Sequence, residues 1–481
     1  MHAPAQDAQS ALAASVGYNT QRLSLKLSPE QATEAARLGT EAVRATQAGK
    51  FGDSLRLYAQ GTATMRGLDW SPELELVSGL RAKLDHALVA PGKITVTMTP
   101  LYSGPRASEA RLKASVFLTR QGQEAISLQP EGTLDAATPF TASVNIPPAA
   151  SGDYNVEVRF APVAGSLTPE ARAAYTKAVP VHVEASLATE MRKLKDTLAN
   201  LSGNSSTALP TAQYALVLYE RADQGEVNPR AYNFHNEFTA AQTVADALVA
   251  GKDAYAGRRG DFHRAYRSKV DNTLQPYRLF VPEAYDPTKP TSLVVALHGM
   301  GGDENSMFDQ YGKELPLDAQ KHGFLVVAPK GLGVASMYRG AAEQDVMDVL
   351  AEVRRDYQVD PSRIYLMGHS MGGYGTWSVA MSHPEVFAAL APISGGGDPA
   401  GMAKLRAIPQ YVTHGDDDKT VNVSQSRIMV EAGKKAGVSI TYVEVPGGSH
   451  SGVAQPAFAP ILDFFSHQAL GKAVESTRQQ F

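Results

Sequence analysis

Arg363-Ile364-Tyr365-Leu366-Met367-Gly368-His369-Ser370-Met371-Gly372-Gly373 is the stretch from which the rest of this chain can be read. An apolar, strand-like run ends in Gly-x-Ser-x-Gly and passes directly into a helix-compatible segment carrying Trp377. A serine on such a strand-to-helix turn is forced into strained backbone and presented outward as a nucleophile. The flanking glycines are needed because side chains there would meet the neighbouring strand and helix. The chain has 41 glycines, so the five-residue pattern alone says little; its placement between strand and helix carries the reading.

Three further segments fit the same chemistry. A tetrahedral oxyanion needs at least two converging N–H donors, and a glycine-rich loop, Leu297-His298-Gly299-Met300-Gly301-Gly302-Asp303-Glu304, follows the third strand of the region. The expected donors are the backbone amides of Met300 and of Met371, the residue after the serine. A seventh strand ends in His414-Gly415-Asp416-Asp417-Asp418-Lys419, and an eighth in Gly447-Gly448-Ser449-His450-Ser451-Gly452. The chain order is thus serine, acid, histidine. A seryl oxygen needs a base at neutral pH, which makes His450 the base, with a carboxylate to hold its tautomer. Three consecutive aspartates offer that carboxylate, and periodicity does not choose among them. His298 is expected to brace the glycine loop, His369 to pack beside the turn and His414 to end its strand; Asp303 and Glu304 read as an acidic cap on a helix start.

From about residue 259 to 481, apolar strands alternate with helices. The expected strands are 263–270, 274–282, 293–297, 323–328, 363–367, 386–393, 407–413 and 438–445, the first two joined by the hairpin signal Asp271-Asn272. The helix at 341–357 would present Val346, Leu350, Val353 and Tyr357 on one face. This alternation predicts a mostly parallel, doubly wound sheet. Upstream, residues 1–92 read as a helical region, with two paired helices over 29–60 and a third from Ser71 to about Ala90. Period-two segments at 94–98, 112–117, 140–146, 154–160 and 179–183 predict a small antiparallel, immunoglobulin-like sandwich over 93–185. Residues 186–258 return to helical spacing, as a connector.

Composition bounds the partners. Lys plus Arg (45) against Asp plus Glu (49) gives a net charge of −4, which provides no electrostatic reason to expect a nucleic acid or a membrane surface. No apolar run approaches the roughly 18 residues of a membrane span. The absence of cysteine excludes disulfides, thiolate metal sites and a cysteine nucleophile. No spacing suits a metal, and no phosphate-cradling or dinucleotide fingerprint occurs, so no cofactor is expected. The opening Met1-His2-Ala3-Pro4 has neither a basic nor an apolar leader region; the expectation is a secreted or periplasmic chain whose signal peptide has been removed, with a cytoplasmic chain as the alternative.

On the residues 297–302, 363–373 and His414 to Val421, the C-terminal region resembles the α/β-hydrolase esterases that include feruloyl and acetylxylan esterases and polyhydroxyalkanoate depolymerases, close to the prolyl oligopeptidase-type hydrolases. The resemblance covers residues of about 260–470. It implies an eight-stranded, mostly parallel α/β-hydrolase domain, here preceded by helices and the sandwich. In such families the Asp of His-Gly-x-x-Asp-x-x-Val is the triad acid, which falls on Asp418; the usual proline after that valine is Asn422 here. The implied activity is hydrolysis of a carboxylic ester through an acyl-enzyme, with polymeric substrates (polysaccharide or polyester) within its range. Two alternatives remain. A prolyl oligopeptidase-type peptidase uses the same triad but a propeller gate, and no blade-length repeat precedes residue 260. A binding or scaffold protein with an incidental hydrolase domain would account for the long front region.

Overall fold

The computed structural model describes residues 4–129, 131–135, 140–333 and 335–471. These divide into two compact units, residues 1–193 with 216–239, and 194–215 with 240–481. The segment 186–258 forms the helices Leu187–Ala199, Leu209–Asp223 and Phe234–Val249, and contributes to both units.

The second unit is built on eight strands: β1 (Gly260–Arg267), β2 (Leu274–Val281), β3 (Thr291–Leu297), β4 (Leu325–Pro329), β5 (Val359–His369), β6 (Ala389–Ile393), β7 (Gln410–Gly415) and β8 (Ile440–Val445). They lie in the order β1-β2-β4-β3-β5-β6-β7-β8. Strand β2 runs antiparallel to both neighbours, and every pairing from β4 onward is parallel. This is the α/β-hydrolase sheet. Each expected strand occurs, with ends displaced by a few residues.

Parallel strands covered on both faces must be apolar on both, and the cores show it residue by residue. Leu293, Val295 and Leu297 face one core with Val346 and Trp377. Their neighbours Val294 and Ala296 face the other, with Leu315 and Phe458. The first core is covered by helices that include Ala341–Asp356 and Met371–Ser382, the second by Glu314–His322 and Ala454–Ser466.

In the first unit, the paired helices Pro29–Gln47 and Phe51–Met65 turn at Gly49, whose φ of 72° suits glycine. A further helix, Pro4–Ser24, precedes them. The third helix is shorter than its spacing suggests. It starts on the Ser71 cap but ends at Ser78, and Leu80–Leu84 is instead a strand paired antiparallel with 96–100. The Gly79 carbonyl accepts from Leu101 N–H, and the run buries Leu80 and Leu84 against the sandwich core. Long-range pairing here overrides a local helical preference. The strand-rich region therefore starts near residue 80, ahead of the expected 93. It comprises a three-stranded antiparallel sheet and a larger sheet built on Leu112–Thr119, Gly152–Pro162 and Thr176–Val183, in which Leu88–Val89 pairs parallel to Thr176–Val183. Both sheets contribute to one apolar core.

Candidate active site

The C-terminal ends of β3, β5, β7 and β8 bring the sequence-selected residues together. Ser370 follows β5 and has φ 58°, ψ −118°, a conformation a side chain adopts only under constraint. The constraint is visible. Ser370 N–H donates to Ile393 O at 2.9 Å. A Cβ on Gly368 would stand 2.4 Å from Gly372 O, one on Gly372 2.1 Å from Leu297 O, and one on Gly373 2.7 Å from Ile393 O. The serine is thus held at the crossing of β3, β5, β6 and the helix Met371–Ser382, where only glycine fits.

His450 Nε2 lies 2.9 Å from Ser370 Oγ, and its Nδ1 lies 2.6 Å from Asp418 Oδ2. The three aspartates, indistinguishable by spacing, have different surroundings. Asp417 is exposed and pairs with Lys419 at 2.5 Å. Asp416 Oδ1 accepts from Gly447 N–H at 2.6 Å, tying the turn that leads to His450. Asp418 alone reaches the imidazole, and its side chain is fully buried. Burial by itself would raise its pKa, but the His450 contact and the Thr420 and Val421 amides, both 2.8 Å from Oδ1, leave it below the ordinary carboxylate value. The carboxylate is therefore ionised across the neutral range.

Met371 is the first residue of its helix, so its N–H has no partner within the helix, and the positive end of the helix dipole lies beneath the serine. On the other side, Gly299 sits against Ser370: a Cβ there would be 3.5 Å from Ser370 Cβ. Met300 follows, with a half-exposed side chain. His298 braces this loop, its ring nitrogens 2.8 Å from the Gly299 and Lys330 carbonyls. Tyr338 Oη donates to His298 O at 3.2 Å. Asp303 Oδ1 accepts from Asn305 N–H at the head of Ser306–Asp309. Glu304, by contrast, is buried, and burial raises its pKa.

Two residues act on the arrangement from behind. Burial pushes His369 down to about 4, so its imidazole is neutral. Its Nδ1 is 2.8 Å from Tyr311 Oη and its Nε2 is 2.9 Å from His450 O. A carbonyl only accepts, so Nε2 carries the hydrogen and Tyr311 donates to Nδ1. The residue expected merely to pack beside the turn also holds the backbone of His450. No sequence signal identifies Tyr311 as its partner, 58 residues away. Among the described residues no group of three or more His, Asp or Glu could hold a metal ion.

Residues 334–411 match the model of the prolyl oligopeptidase family. The chain is 30% identical over 150 residues to the bifunctional acetylxylan esterase/xylanase of Neocallimastix patriciarum, covering 31% of this chain and 22% of that one. It is 38% identical over 128 residues to feruloyl esterase B of Neurospora crassa, covering 24% and 42%. The chain thus spans less than half the length of these two relatives. Among solved structures, the S954A feruloyl esterase module from Clostridium thermocellum in complex with sinapinate aligns at 19% identity over 44% of this chain and 90% of that one, with a TM-score of 0.39.

Proposed function

We propose that this chain is a serine carboxylic ester hydrolase acting through an acyl-enzyme. Ser370 Oγ attacks the ester carbonyl while His450 Nε2 takes its proton, and Asp418 stabilises the imidazolium that forms. The Met300 and Met371 amides receive the oxyanion. His450 then protonates the departing alkoxide, and a water, deprotonated by the same imidazole, releases the acid and restores the serine. The hydrogen-bonded run Ser370 Oγ, His450, Asp418 Oδ2, set on a positive-φ serine, is the observation that carries this reading. The similarity to feruloyl and acetylxylan esterases points to an ester of a polysaccharide side group or an aromatic acid, with a polyester as the remaining class. A polymeric substrate suits a secreted or periplasmic protein. Among the described residues no helix is long and apolar enough to cross a membrane.

The match of residues 334–411 to the prolyl oligopeptidase family supports a second reading as a peptidase. Rates on p-nitrophenyl acetate, methyl ferulate, acetylated xylan and a prolyl peptide chromogen separate the two, with Ser370→Ala as control. Esters should turn over, with a loss of about 10⁶ in kcat for the alanine variant. Turnover of the prolyl substrate alone would establish the peptidase reading. Failure of the wild type to react with a fluorophosphonate would leave a scaffold role.

A further inference from the structure

Asp418 is contacted by two imidazoles. His450 Nδ1 is 2.6 Å from Oδ2, and His414 Nε2 is 3.2 Å from the same oxygen. His414 ends β7, its side chain is fully buried, and its Nε2 also lies 2.9 Å from Val421 O. A carbonyl and an ionised carboxylate have no hydrogen to offer, so both contacts require a hydrogen on His414 Nε2. Its Nδ1 is 2.7 Å from Ser426 Oγ, which also lies 3.0 Å from Gly395 O. Burial lowers the His414 pKa, which favours the neutral ring, and the single Ser426 hydroxyl hydrogen is shared between His414 Nδ1 and Gly395 O.

We propose that His414 is a positioning residue for the acid–base pair: it donates Nε2–H to Asp418 Oδ2 and holds the carboxylate so that this oxygen faces His450 Nδ1. The inference rests on Asp418 being the acid. The terminal torsion of an aspartate is soft, and here two amides on Oδ1 and His450 on Oδ2 hydrogen-bond it, while His414 Nε2–H, shared with Val421 O, lies 3.2 Å from Oδ2. Neutrality matters to the chemistry. A cation beside Asp418 would quench the charge that must stabilise the His450 imidazolium, whereas a neutral N–H orients the carboxylate and leaves most of that charge in place. The Val421 carbonyl supports the arrangement by requiring the hydrogen on His414 Nε2.

The test is a set of substitutions assayed on p-nitrophenyl acetate, with folding followed by circular dichroism and thermal unfolding. His414→Phe retains the ring and removes the donor; it should lower kcat about 10- to 100-fold, the range for a lost hydrogen bond to a charged group, with KM little changed. His414→Gln, whose amide nitrogen can reach the Nε2 position, should recover most of the loss, and His414→Asn, whose amide falls near Nδ1, should recover less. Combined with Asp418→Asn, His414→Phe should cost under about threefold more, because its route runs through the carboxylate. A folded Phe variant with wild-type kcat would overturn the proposal. So would equal losses in the Gln and Asn variants, which remain informative if Phe does not fold, or an undiminished loss when the carboxylate is already replaced by Asp418→Asn. Near wild-type activity in Asp418→Asn itself would instead remove the acid assignment on which the proposal rests.

Discussion

Replacing Asp418 by asparagine changes one atom, and the structure determines how the new amide must sit. Thr420 N–H and Val421 N–H both donate to Oδ1 at 2.8 Å, so the carbonyl oxygen of the asparagine is held at Oδ1 and its NH₂ group takes the place of Oδ2. Flipping the amide would set NH₂ against two N–H donors and lose both bonds, whereas the unflipped amide loses only the longer contact with His414 Nε2, so the flip costs a net amount on the order of 1 kcal/mol. With NH₂ at 2.6 Å from His450 Nδ1, that nitrogen must accept, and the hydrogen moves to Nε2. Nε2 then faces Ser370 Oγ as a donor and cannot take its proton. Wrong-tautomer substitutions of this kind cost roughly 10⁴ in kcat, about 5 kcal/mol of transition-state stabilisation. The assay is the steady-state rate on p-nitrophenyl acetate, paired with the rate of fluorophosphonate labelling, which should fall in parallel. Asp416→Asn keeps an acceptor for Gly447 N–H and should lose under about tenfold; Asp417→Asn, on an exposed residue, should be silent. An Asp418→Asn enzyme within tenfold of wild type, or a larger loss at Asp416, would refute the reasoning.

Met300→Pro deletes a proposed oxyanion donor and should lower kcat at least 10²- to 10³-fold, whereas Met300→Ala and Met371→Ala keep the amides and should act mainly on KM; a proline variant with normal kcat would move the donor to a neighbouring amide. Gly372→Ala puts a methyl 2.1 Å from Leu297 O with backbone on both sides, so denaturant unfolding should show a loss of about 3 kcal/mol or more, or no folded protein. Asp345 is buried between Tyr266 Oη and Gly331 N–H, and burial pushes its pKa up to about 6 from 3.8. The folded state therefore favours the protonated acid: this contribution is full below about pH 4 and is lost as pH rises through about 6. Two units correspond to about 3 kcal/mol, so Asp345→Asn should gain roughly that amount on wild type between pH 4 and pH 7. Parallel unfolding curves for the two proteins across that range would contradict it.

Much of the second unit is legible in the sequence because its physics is local. Strands buried on both faces are written as continuous apolar runs, and such runs mark β3, β4 and β6, while the edge strands β1 and β8 are mixed in composition. The turn at Ser370 can be read because backbone crowding demands glycine at 368, 372 and 373, so steric necessity leaves a spelled-out pattern. His450 could be named because its loop follows the last strand, in the final place of the serine–acid–histidine order. Residues 80–84 were not legible. Their spacing suits a helix, and the strand exists only because residues 96–100 lie alongside.

The sequence by itself therefore determined the sheet, the strained serine and the order of the chemical groups along the chain, since each depends on residues within a few positions of one another. Only the tertiary structure decided which of three adjacent aspartates faces His450, that His414 shares the same carboxylate oxygen, and that Tyr311 and His369 hold the His450 backbone. Three consecutive aspartates have the same intrinsic propensities. What separates Asp416, Asp417 and Asp418 is the direction each side chain takes relative to an imidazole arriving 32 residues later, and that direction is set by the packing of β7 against β8.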